Sequence, residues 1–239
     1  MEIMKGIHQV DGVNGNCYLV QRESGWVLID TGMPGNADKI VKYLSSINLK
    51  PSDITLIAIT HCHIDHVGSL EKLKQLSGAK VACHEDDADF ISGKRQLSMP
   101  KGVPFYFRIL LPLFKAKPVE PDILLKDGQM IGGFEVVHTP GHTPGSICFL
   151  DKNTKSLFVG DNLRFMDGQI KGPPIVMDAA PMKKSIARIA ELEFETMYSG
   201  HGKPLTPGAS KKIKDVLPSL IKSVETGNTQ KNIRKDKRD

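Results

Sequence analysis

The sequence has no long apolar run and only four cysteines. Each of these features argues against a class of protein. No stretch of about 18 consecutive apolar residues occurs, so a transmembrane helix is not expected. The segment MEIMKGIHQV at the start lacks the apolar core and the small-residue cleavage site of a signal peptide, so export is not indicated. The cysteines are scattered without a C-x-x-C pair, which argues against a disulfide framework and favours a reducing, cytoplasmic setting.

Most of the net positive charge lies in the C-terminal end of the sequence. The formal net charge is +5, but the last nine residues, KNIRKDKRD, hold five basic and two acidic side chains, which leaves +2 for the other 230 residues. Such a body lacks the basic surface that RNA binding requires, so a nucleic-acid partner is not expected. Residues 228–239 are predicted to form a basic, disordered tail.

In the first half of the chain, short apolar segments alternate with amphipathic ones, which predicts an α/β protein. Asn36 is the expected N-cap of the first helix. The run ITLIAI is apolar throughout, as is typical of a buried strand. The predicted strands cover 16–21, 26–32, 54–59 and 79–85, and the predicted helices cover 36–47 and 69–76.

The second half repeats this pattern after an intervening segment of different composition. That segment, residues 92–121, contains five prolines and a dense apolar and aromatic run, and we interpret it as an insertion. An interruption near Pro218 is expected in the last helix. The predicted strands cover 133–139, 146–151, 156–161 and 196–200, and the predicted helices cover 182–192 and 209–227.

The segment THCHIDHVG at 60–68 concentrates three histidines and one aspartate within six positions. In an extended loop, residues two apart point the same way, so His61 and His63 are expected to converge on one point. Asp65 and His66 are expected to face a second, adjacent point, on the loop that leads to the next helix. Imidazole and carboxylate are ligands of zinc and related metals, so this segment predicts part of a metal site.

Three further residues of ligand type follow apolar segments in the second half. His142 lies in TPGHTPGS, Asp161 ends the run FVGD, and His201 lies in SGHG. Glycines beside them permit close backbone approach. By contrast, Cys62 between the first two histidines is expected to pack in the core, and His8, His84 and His138 are expected to be structural or surface residues.

The H-x-H-x-D-H motif, the three downstream residues and the upstream LIDTG resemble the metallo-β-lactamase-fold hydrolase superfamily, in its hydroxyacylglutathione hydrolase and lactonase-like branch. The resemblance extends from about residue 15 to 205. It implies a four-layer αββα sandwich, and we interpret 1–227 as one domain of this fold. Asp30 in LIDTG matches a position that supports the ligand loop by hydrogen bonding.

The resemblance also implies a dinuclear metal site. Its first metal would be bound by His61, His63 and His142, its second by Asp65, His66 and His201, and Asp161 would bridge the two. Zinc suits this ligand set best, with iron and manganese as alternatives.

The implied reaction is hydrolysis of a small ester, thioester or lactone, with room for promiscuity, by a hydroxide that bridges the metals. Asp65 is the expected catalytic residue, because its carboxylate can orient this hydroxide and carry its proton to the leaving group. Phosphodiester hydrolysis by a phosphodiesterase or nuclease is the alternative, and weak β-lactamase activity is compatible with the motif.

The substrate contacts are less well determined by the sequence. Hydroxyacylglutathione hydrolases of this superfamily carry a C-terminal glutathione-binding domain, whereas only 38 residues follow His201, so a dedicated glutathione site is not expected. Arg164 stands where lactonases of the superfamily use a tyrosine, and it is either a contact for an anionic substrate or a surface arginine. Phe105, Tyr106 and Phe107 in the insertion would line an apolar pocket, unless the insertion is a packed cap or a homodimer contact.

Overall fold

The computed structural model describes residues 1–96, 116–173 and 175–225. These residues belong to two compact units, of which the first is Met1–Val136 and the second begins at Val137. Within the described part of the chain, no helix combines the length and the apolar character that a bilayer crossing requires.

Several sequence predictions concern residues that the structure does not describe. These are the tail at 228–239, the central part of the insertion at 92–121, and the candidate pocket residues Phe105, Tyr106 and Phe107 within it. The described ends of the insertion are attached to the first unit: the Val119 N–H donates to the Ile91 carbonyl at 3.0 Å, and Val119 is buried.

The first unit is built on a seven-stranded sheet whose strands follow one another in chain order. Neighbours from β1 to β4 are antiparallel, and those from β4 to β7 are parallel. The carboxyl ends of β4, β5 and β6 therefore meet at one edge of the sheet. The strands are β1 (Glu2–Met4), β2 (Ile7–Gln9), β3 (Tyr18–Arg22), β4 (Gly25–Ile29), β5 (Ile54–Ala58), β6 (Lys80–His84) and β7 (Ile123–Leu125).

Among the described residues of the first unit, four α-helices connect or flank these strands: α1 (Ala37–Ser46), α2 (Ile64–Val67), α3 (Leu70–Ser77) and α4 (Glu85–Ile91). The helix predicted at 36–47 corresponds to α1, which buries one apolar face, since Ile40 and Leu44 are fully buried in the core of the first unit. Leu70 and Leu73 bury the corresponding face of α3 in the same core. Burial of these stripes is what holds such short helices in place, since helices of this length are marginal alone.

Asn36 is the N-cap residue of α1, as predicted, but its side chain makes no capping hydrogen bond. The Asn36 carboxamide instead accepts the Asn14 N–H and donates to the Met33 carbonyl, both at 3.0 Å. The Ser69 hydroxyl accepts the Ala37 N–H at 3.0 Å in its place. A tertiary contact thus satisfies the free N–H group, which leaves the asparagine to fix the preceding loop.

A second sheet has the strand order β14-β11-β10-β9-β8, and the division between the units falls within β9. Strands β11 and β14 are parallel, whereas β10 and β11 are antiparallel. A separate hairpin consists of β12 and β13. The strands are β8 (Met130–Ile131), β9 (Phe134–His138), β10 (Ile147–Asp151), β11 (Ser156–Gly160), β12 (Arg164–Met166), β13 (Gln169–Lys171) and β14 (Thr196–Ser199).

Two helices, α5 (Ala179–Glu191) and α6 (Ala209–Glu225), belong to the second unit. The predicted interruption of the last helix is wrong, because α6 continues through Pro218. Ile213 before the proline and Leu220 and Val224 after it are all buried in the core of this unit. Packing on both sides outweighs the one backbone hydrogen bond that proline cannot donate.

Candidate metal centre

The segment that carries the first two histidines continues from β5 at the carboxyl edge of the parallel strands. The Ile59 N–H donates to the Ala82 carbonyl at 2.9 Å, so the chain still follows the sheet there. Beyond this point the sheet no longer supplies partners, and two buried carboxylates, Asp30 and Asp87, accept the N–H groups of Thr60 and Cys62 at 2.8 Å. His61 and His63 are the residues that alternate with these anchored positions.

Asp30 lies directly after β4 and has the strained backbone conformation of φ 60°, which is uncommon for a residue other than glycine. Its side chain is buried, and its Oδ1 atom accepts the Thr60 N–H. Its Oδ2 atom accepts the Thr60 hydroxyl at 2.7 Å and lies 2.7 Å from His66 Nδ1. Asp30 therefore takes part in three hydrogen bonds with Thr60 and His66.

These hydrogen bonds also assign the ring nitrogens of two histidines. The Thr60 hydroxyl donates to Asp30, so it accepts from His61 Nδ1, which lies 3.0 Å away. His66 Nδ1 faces a carboxylate oxygen and must be a donor as well. With both Nδ1 atoms protonated, Nε2 of each neutral ring carries the lone pair that a metal requires.

Asp65 and His66 lie in the short helix α2 and not on the loop that the sequence predicted. His63 begins this helix with an extended backbone, and its carbonyl accepts the N–H groups of His66 and Val67 at 2.9 and 3.1 Å. The turn brings Asp65 Oδ2 to 3.9 Å from His66 Nε2. Helix formation therefore separates the second pair of candidate ligands from the extended first pair.

Gly68 permits the close approach that this arrangement needs. A Cβ atom at Gly68 would overlap Met33 and Pro34 in the loop after β4. That loop is tied to α2 by Thr31, whose N–H and hydroxyl both donate to the His66 carbonyl, at 2.7 and 2.8 Å. The glycine in HVG is therefore required by packing and not by an unusual φ angle.

The first unit thus presents two pairs of candidate ligands, His61 with His63 and Asp65 with His66. The ligand atoms of His61 and His63 lie within 4.8 Å of one another, and so do those of Asp65 and His66. The rings of His61 and His66 approach to 4.0 Å between centroids. His61 and His66 are fully buried, whereas Asp65 keeps 29% of its side chain exposed.

The second unit presents the other three candidates at the ends of its strands. His142 follows β9, Asp161 follows β11 directly, and His201 follows β14. Asp161 Oδ2 lies 3.7 Å from His142 Nε2 and 3.5 Å from His201 Nε2. One carboxylate oxygen of the second unit therefore lies beside two imidazole nitrogens.

His142 has the same ring assignment as the histidines of the first unit. Its Nδ1 atom lies 2.7 Å from the Ile175 carbonyl, which can only accept, so Nδ1 is protonated and Nε2 is available to a metal. His201 is held by its neighbours: the Gly200 N–H donates to the Gly160 carbonyl at 2.7 Å. A Cβ atom at Gly202, where φ is +93°, would overlap the Phe165 carbonyl.

Arg164 lies at the start of β12, three residues after Asp161, and is half-buried. Its Nε atom donates to the Gly172 carbonyl at 3.2 Å. Burial lowers the pKa of its guanidinium, while the charge of Asp161 acts in the opposite direction. Arg164 is therefore partly buried and lies close enough to the candidate ligand Asp161 to interact with its charge.

Asp87 is the residue of this centre that the sequence analysis missed. It is fully buried in α4 and accepts the Cys62 N–H. Cys62 is itself buried in the core of the first unit, as predicted, and burial followed by the nearby Asp87 charge raises its thiol pKa well above the usual value. The sequence signal was weak, because Asp87 stands in the acidic run EDD, which is typical of an exposed helix start.

The donor set fits divalent metal ions. It consists of imidazoles, three of which have Nδ1 engaged with oxygen and Nε2 available, together with two carboxylates. Nitrogen and oxygen donors of this kind suit zinc, iron and manganese. Clusters of such ligand-type residues suggest a dinuclear metal site.

A sequence model of the metallo-beta-lactamase superfamily matches residues 10–201. The chain belongs to the metallo-β-lactamase superfamily. The matched range contains all seven candidate ligands and Asp30. As a member of this superfamily, the protein is a metal-dependent hydrolase, and several of its relatives are named as hydrolases.

Two relatives illustrate the range of this similarity. The chain is 34% identical over 206 residues to the uncharacterized protein YobT of Bacillus subtilis, an alignment that covers 79% of this chain and 83% of YobT. It is 31% identical over 208 residues to the hydroxyacylglutathione hydrolase GloC of Haemophilus influenzae, with coverage of 85% and 93%.

Solved structures confirm the predicted fold class, the αββα sandwich of the metallo-β-lactamase fold. The metallo-beta-lactamase family protein TTHA1429 of Thermus thermophilus is similar with a TM-score of 0.72 and 23% identity, over 94% of this chain and 82% of that protein. The protein TTHA1623, solved in a di-iron-bound form, is similar with a TM-score of 0.67 and 28% identity, over 87% and 97%.

Proposed function

We propose that this metallo-hydrolase cleaves a small ester, thioester or lactone with two divalent metal ions. The observation that carries the proposal is the position of Asp161, whose Oδ2 atom lies within 3.7 Å of the Nε2 atoms of both His142 and His201. A carboxylate oxygen beside two histidines suits a ligand shared by two metals, one on each imidazole, and this supports the dinuclear allocation.

The proposed allocation follows the two pairs of the first unit. His61 and His63 bind the first metal together with His142. Asp65 and His66 bind the second together with His201, and Asp161 is shared. Asp30 supports this allocation, because it fixes His66 directly and His61 through Thr60, so that both rings offer Nε2.

When bound, two such metals supply a water that is deprotonated near neutral pH and a Lewis acid for the substrate carbonyl. The chain's own contribution is to hold and move the proton. Asp65 is suited to this, because its carboxylate lies in α2 beside His66 and 29% of its side chain is exposed to solvent. We propose that Asp65 accepts this proton and passes it to the leaving group.

The substrate class rests on two weaker observations. GloC is named as a hydroxyacylglutathione hydrolase, which is a thioesterase activity, and this supports a thioester or related acyl substrate. Arg164 is a half-buried cation near Asp161, which favours a substrate that carries a carboxylate or phosphate group. Because phosphate is equally suited to a guanidinium, phosphodiester hydrolysis is the second candidate.

The metal is proposed to be zinc on the basis of the ligand chemistry. The di-iron form of TTHA1623 makes iron the alternative to test, and manganese is compatible with the same donors. The cytoplasmic location and a homodimer formed through residues 92–121 stay predictions of the sequence.

The proposal is tested by turnover of four substrate classes with the purified chain loaded separately with zinc, iron or manganese. The panel consists of a thioester, a lactone, a phosphodiester and a β-lactam, each with and without a charged group. We expect the highest kcat/KM for an anionic thioester or ester, and loss of turnover after chelation. Preferential cleavage of the phosphodiester would replace the proposal by its alternative, and binding of a single metal at full activity would contradict the dinuclear site.

A further inference from the structure

The extended segment that carries His61 and His63 is held through its main chain by two carboxylates from different elements. Asp30 comes from the end of β4 and accepts the Thr60 N–H, while Asp87 comes from α4 and accepts the Cys62 N–H. Both distances are 2.8 Å, and both carboxylates are buried. Fixing the main chain at Thr60 and Cys62 also fixes the direction of the neighbouring side chains. These are His61, which lies between the two anchored residues, and His63, which follows Cys62.

The location of Asp87 follows from the sheet. Strand β6 is the parallel neighbour of β5, so its carboxyl end lies beside the start of the ligand segment. Helix α4 begins at the very next residue, with the His84 ring accepting the Asp86 N–H. The first turn of α4 thereby brings Asp87 against Cys62. There the Asp87 carboxylate, and not a strand carbonyl, accepts the Cys62 N–H.

Burying a carboxylate in this core costs desolvation free energy. We therefore expect Asp87 to have a role that an apolar residue could not fill. Asp87 has no exposed surface, and its charge raises the pKa of both Cys62 and Cys83, after the larger effect of burial. An apolar residue of similar volume would pack among such neighbours without a desolvation penalty. Such an apolar residue could not, however, accept the Cys62 N–H.

We propose that Asp87 is a positioning residue for the first metal: it acts through the Cys62 main chain to hold His61 and His63 in convergence. It touches neither metal nor substrate. The inference rests on the proposed function, because a positioning role requires a metal bound by these two histidines. It assigns the two carboxylates different tasks, since Asp30 serves both ligand pairs and Asp87 serves only the first.

The test compares Asp87→Leu with Asp87→Asn in the full chain. Leucine has a similar volume and cannot accept the Cys62 N–H, whereas the asparagine carbonyl oxygen still can. Zinc affinity is measured by competition with a chromophoric chelator, and zinc content by mass spectrometry. We expect Asp87→Leu to bind one of the two zinc ions at least about tenfold more weakly, as for other residues that support ligands, and Asp87→Asn to stay near wild type.

A second readout separates positioning from general stability. The melting temperature is measured with and without zinc, because a weaker metal site reduces the rise that zinc produces. Asp122→Leu is the matched control, since Asp122 Oδ2 accepts the Val81 N–H on β6 at 2.8 Å but does not contact the ligand segment. We expect this control to lower both melting temperatures and to leave the zinc-induced rise unchanged.

The outcomes distinguish this inference from the proposed function. If the wild type binds no metal, both are wrong; if it binds two and Asp87→Leu binds them as tightly, only the role of Asp87 is wrong. Cys62→Ala keeps the N–H and removes the thiol, so an equal loss of affinity there would also contradict a main-chain role. Should Asp87→Leu not fold, Asp87→Ser, which is too short to reach Cys62, is expected to show the same loss.

Discussion

At the residue scale, Asp30 shows how one side chain can determine the chemistry of several others. Its backbone has φ 60°, a conformation that directs the carboxylate back towards the end of β5. From there it accepts hydrogen bonds from the Thr60 N–H, the Thr60 hydroxyl and His66 Nδ1. The strain of one residue is thus offset by the ordering of two imidazole rings for metal binding.

The role proposed for Asp65 leads to a prediction at this scale. Replacing Asp65 with asparagine retains a carbonyl oxygen for the metal but removes the group that accepts a proton. We expect kcat to fall by about 100-fold or more, as is usual when a general acid–base group is lost, with both metals still bound. The measurement is turnover of the best substrate from the panel, together with metal content.

The control for this prediction is Asp38→Asn on α1, an exposed aspartate that pairs with Lys72. It is expected to leave both kcat and metal content unchanged. Full turnover by Asp65→Asn with two metals bound would show that another group carries the proton.

At the element scale, the junction between α2 and α3 depends on a position that has no side chain. Gly68 lies where the chain passes over Met33 and Pro34, and the space there excludes a Cβ atom. Its φ of −61° is ordinary, so the requirement is purely one of packing. Both helices and the loop after β4 depend on this close approach.

The substitution Gly68→Ala is therefore expected to destabilise the protein although alanine is the better helix former. An added methyl group in a closely packed site costs about 1–3 kcal/mol in the free energy of unfolding. Urea denaturation of the metal-free protein measures this change. A stability equal to that of the wild type would mean that the loop at Met33 moves without cost.

Gly172→Ala is the matched control for this experiment, because among the described residues a Cβ atom there would meet the Ser223 hydroxyl alone, at 3.3 Å. We expect a change close to zero. Zinc affinity should fall in Gly68→Ala as well, since the same junction carries Asp65 and His66.

At the scale of the whole molecule, the cores of both units contain free cysteines. All four are buried, and burial raises the pKa of Cys83 and of Cys148 to about 12. The unfolded chain releases these protons near pH 9, while the folded chain keeps them until about pH 12. The free energy of unfolding therefore falls as the pH rises from about 9 towards 12.

Cys148→Ala tests this dependence, because Cys148 lies in β10, in the core of the second unit. Between pH 9 and 10, its titration should lower the free energy of unfolding by on the order of 1 kcal/mol in the wild type, and the variant should lack that contribution. Urea denaturation at pH 7.5, 9 and 10 measures the two slopes. Parallel slopes would show that the thiol does not carry this effect; the constant cost of the smaller side chain does not alter them.

Much of the fold was predictable from the sequence, because its signals are local. The strands around 54–59 and 156–161 are continuous apolar runs, and the stripe on α1 has helical spacing, so they were identified close to their observed bounds. The short strands β1 and β2 and the hairpin β12–β13 were missed, because three-residue strands leave too little periodicity. Pro218 misled the prediction of α6, since the packing that sustains the helix comes from residues distant in sequence.

Residue types and their order, from Asp30 and the H-x-H-x-D-H motif to His142, Asp161 and His201, are enough to identify a metal-dependent hydrolase of the metallo-β-lactamase superfamily. Contacts between residues distant in sequence are seen only in the folded protein. The fold placed Asp65 and His66 in a helix, assigned the imidazole nitrogens through Asp30 and Thr60, and brought Asp87 against Cys62. The physical reason is that a residue's type is local information, whereas the partner of its hydrogen bond is set by how the strands align.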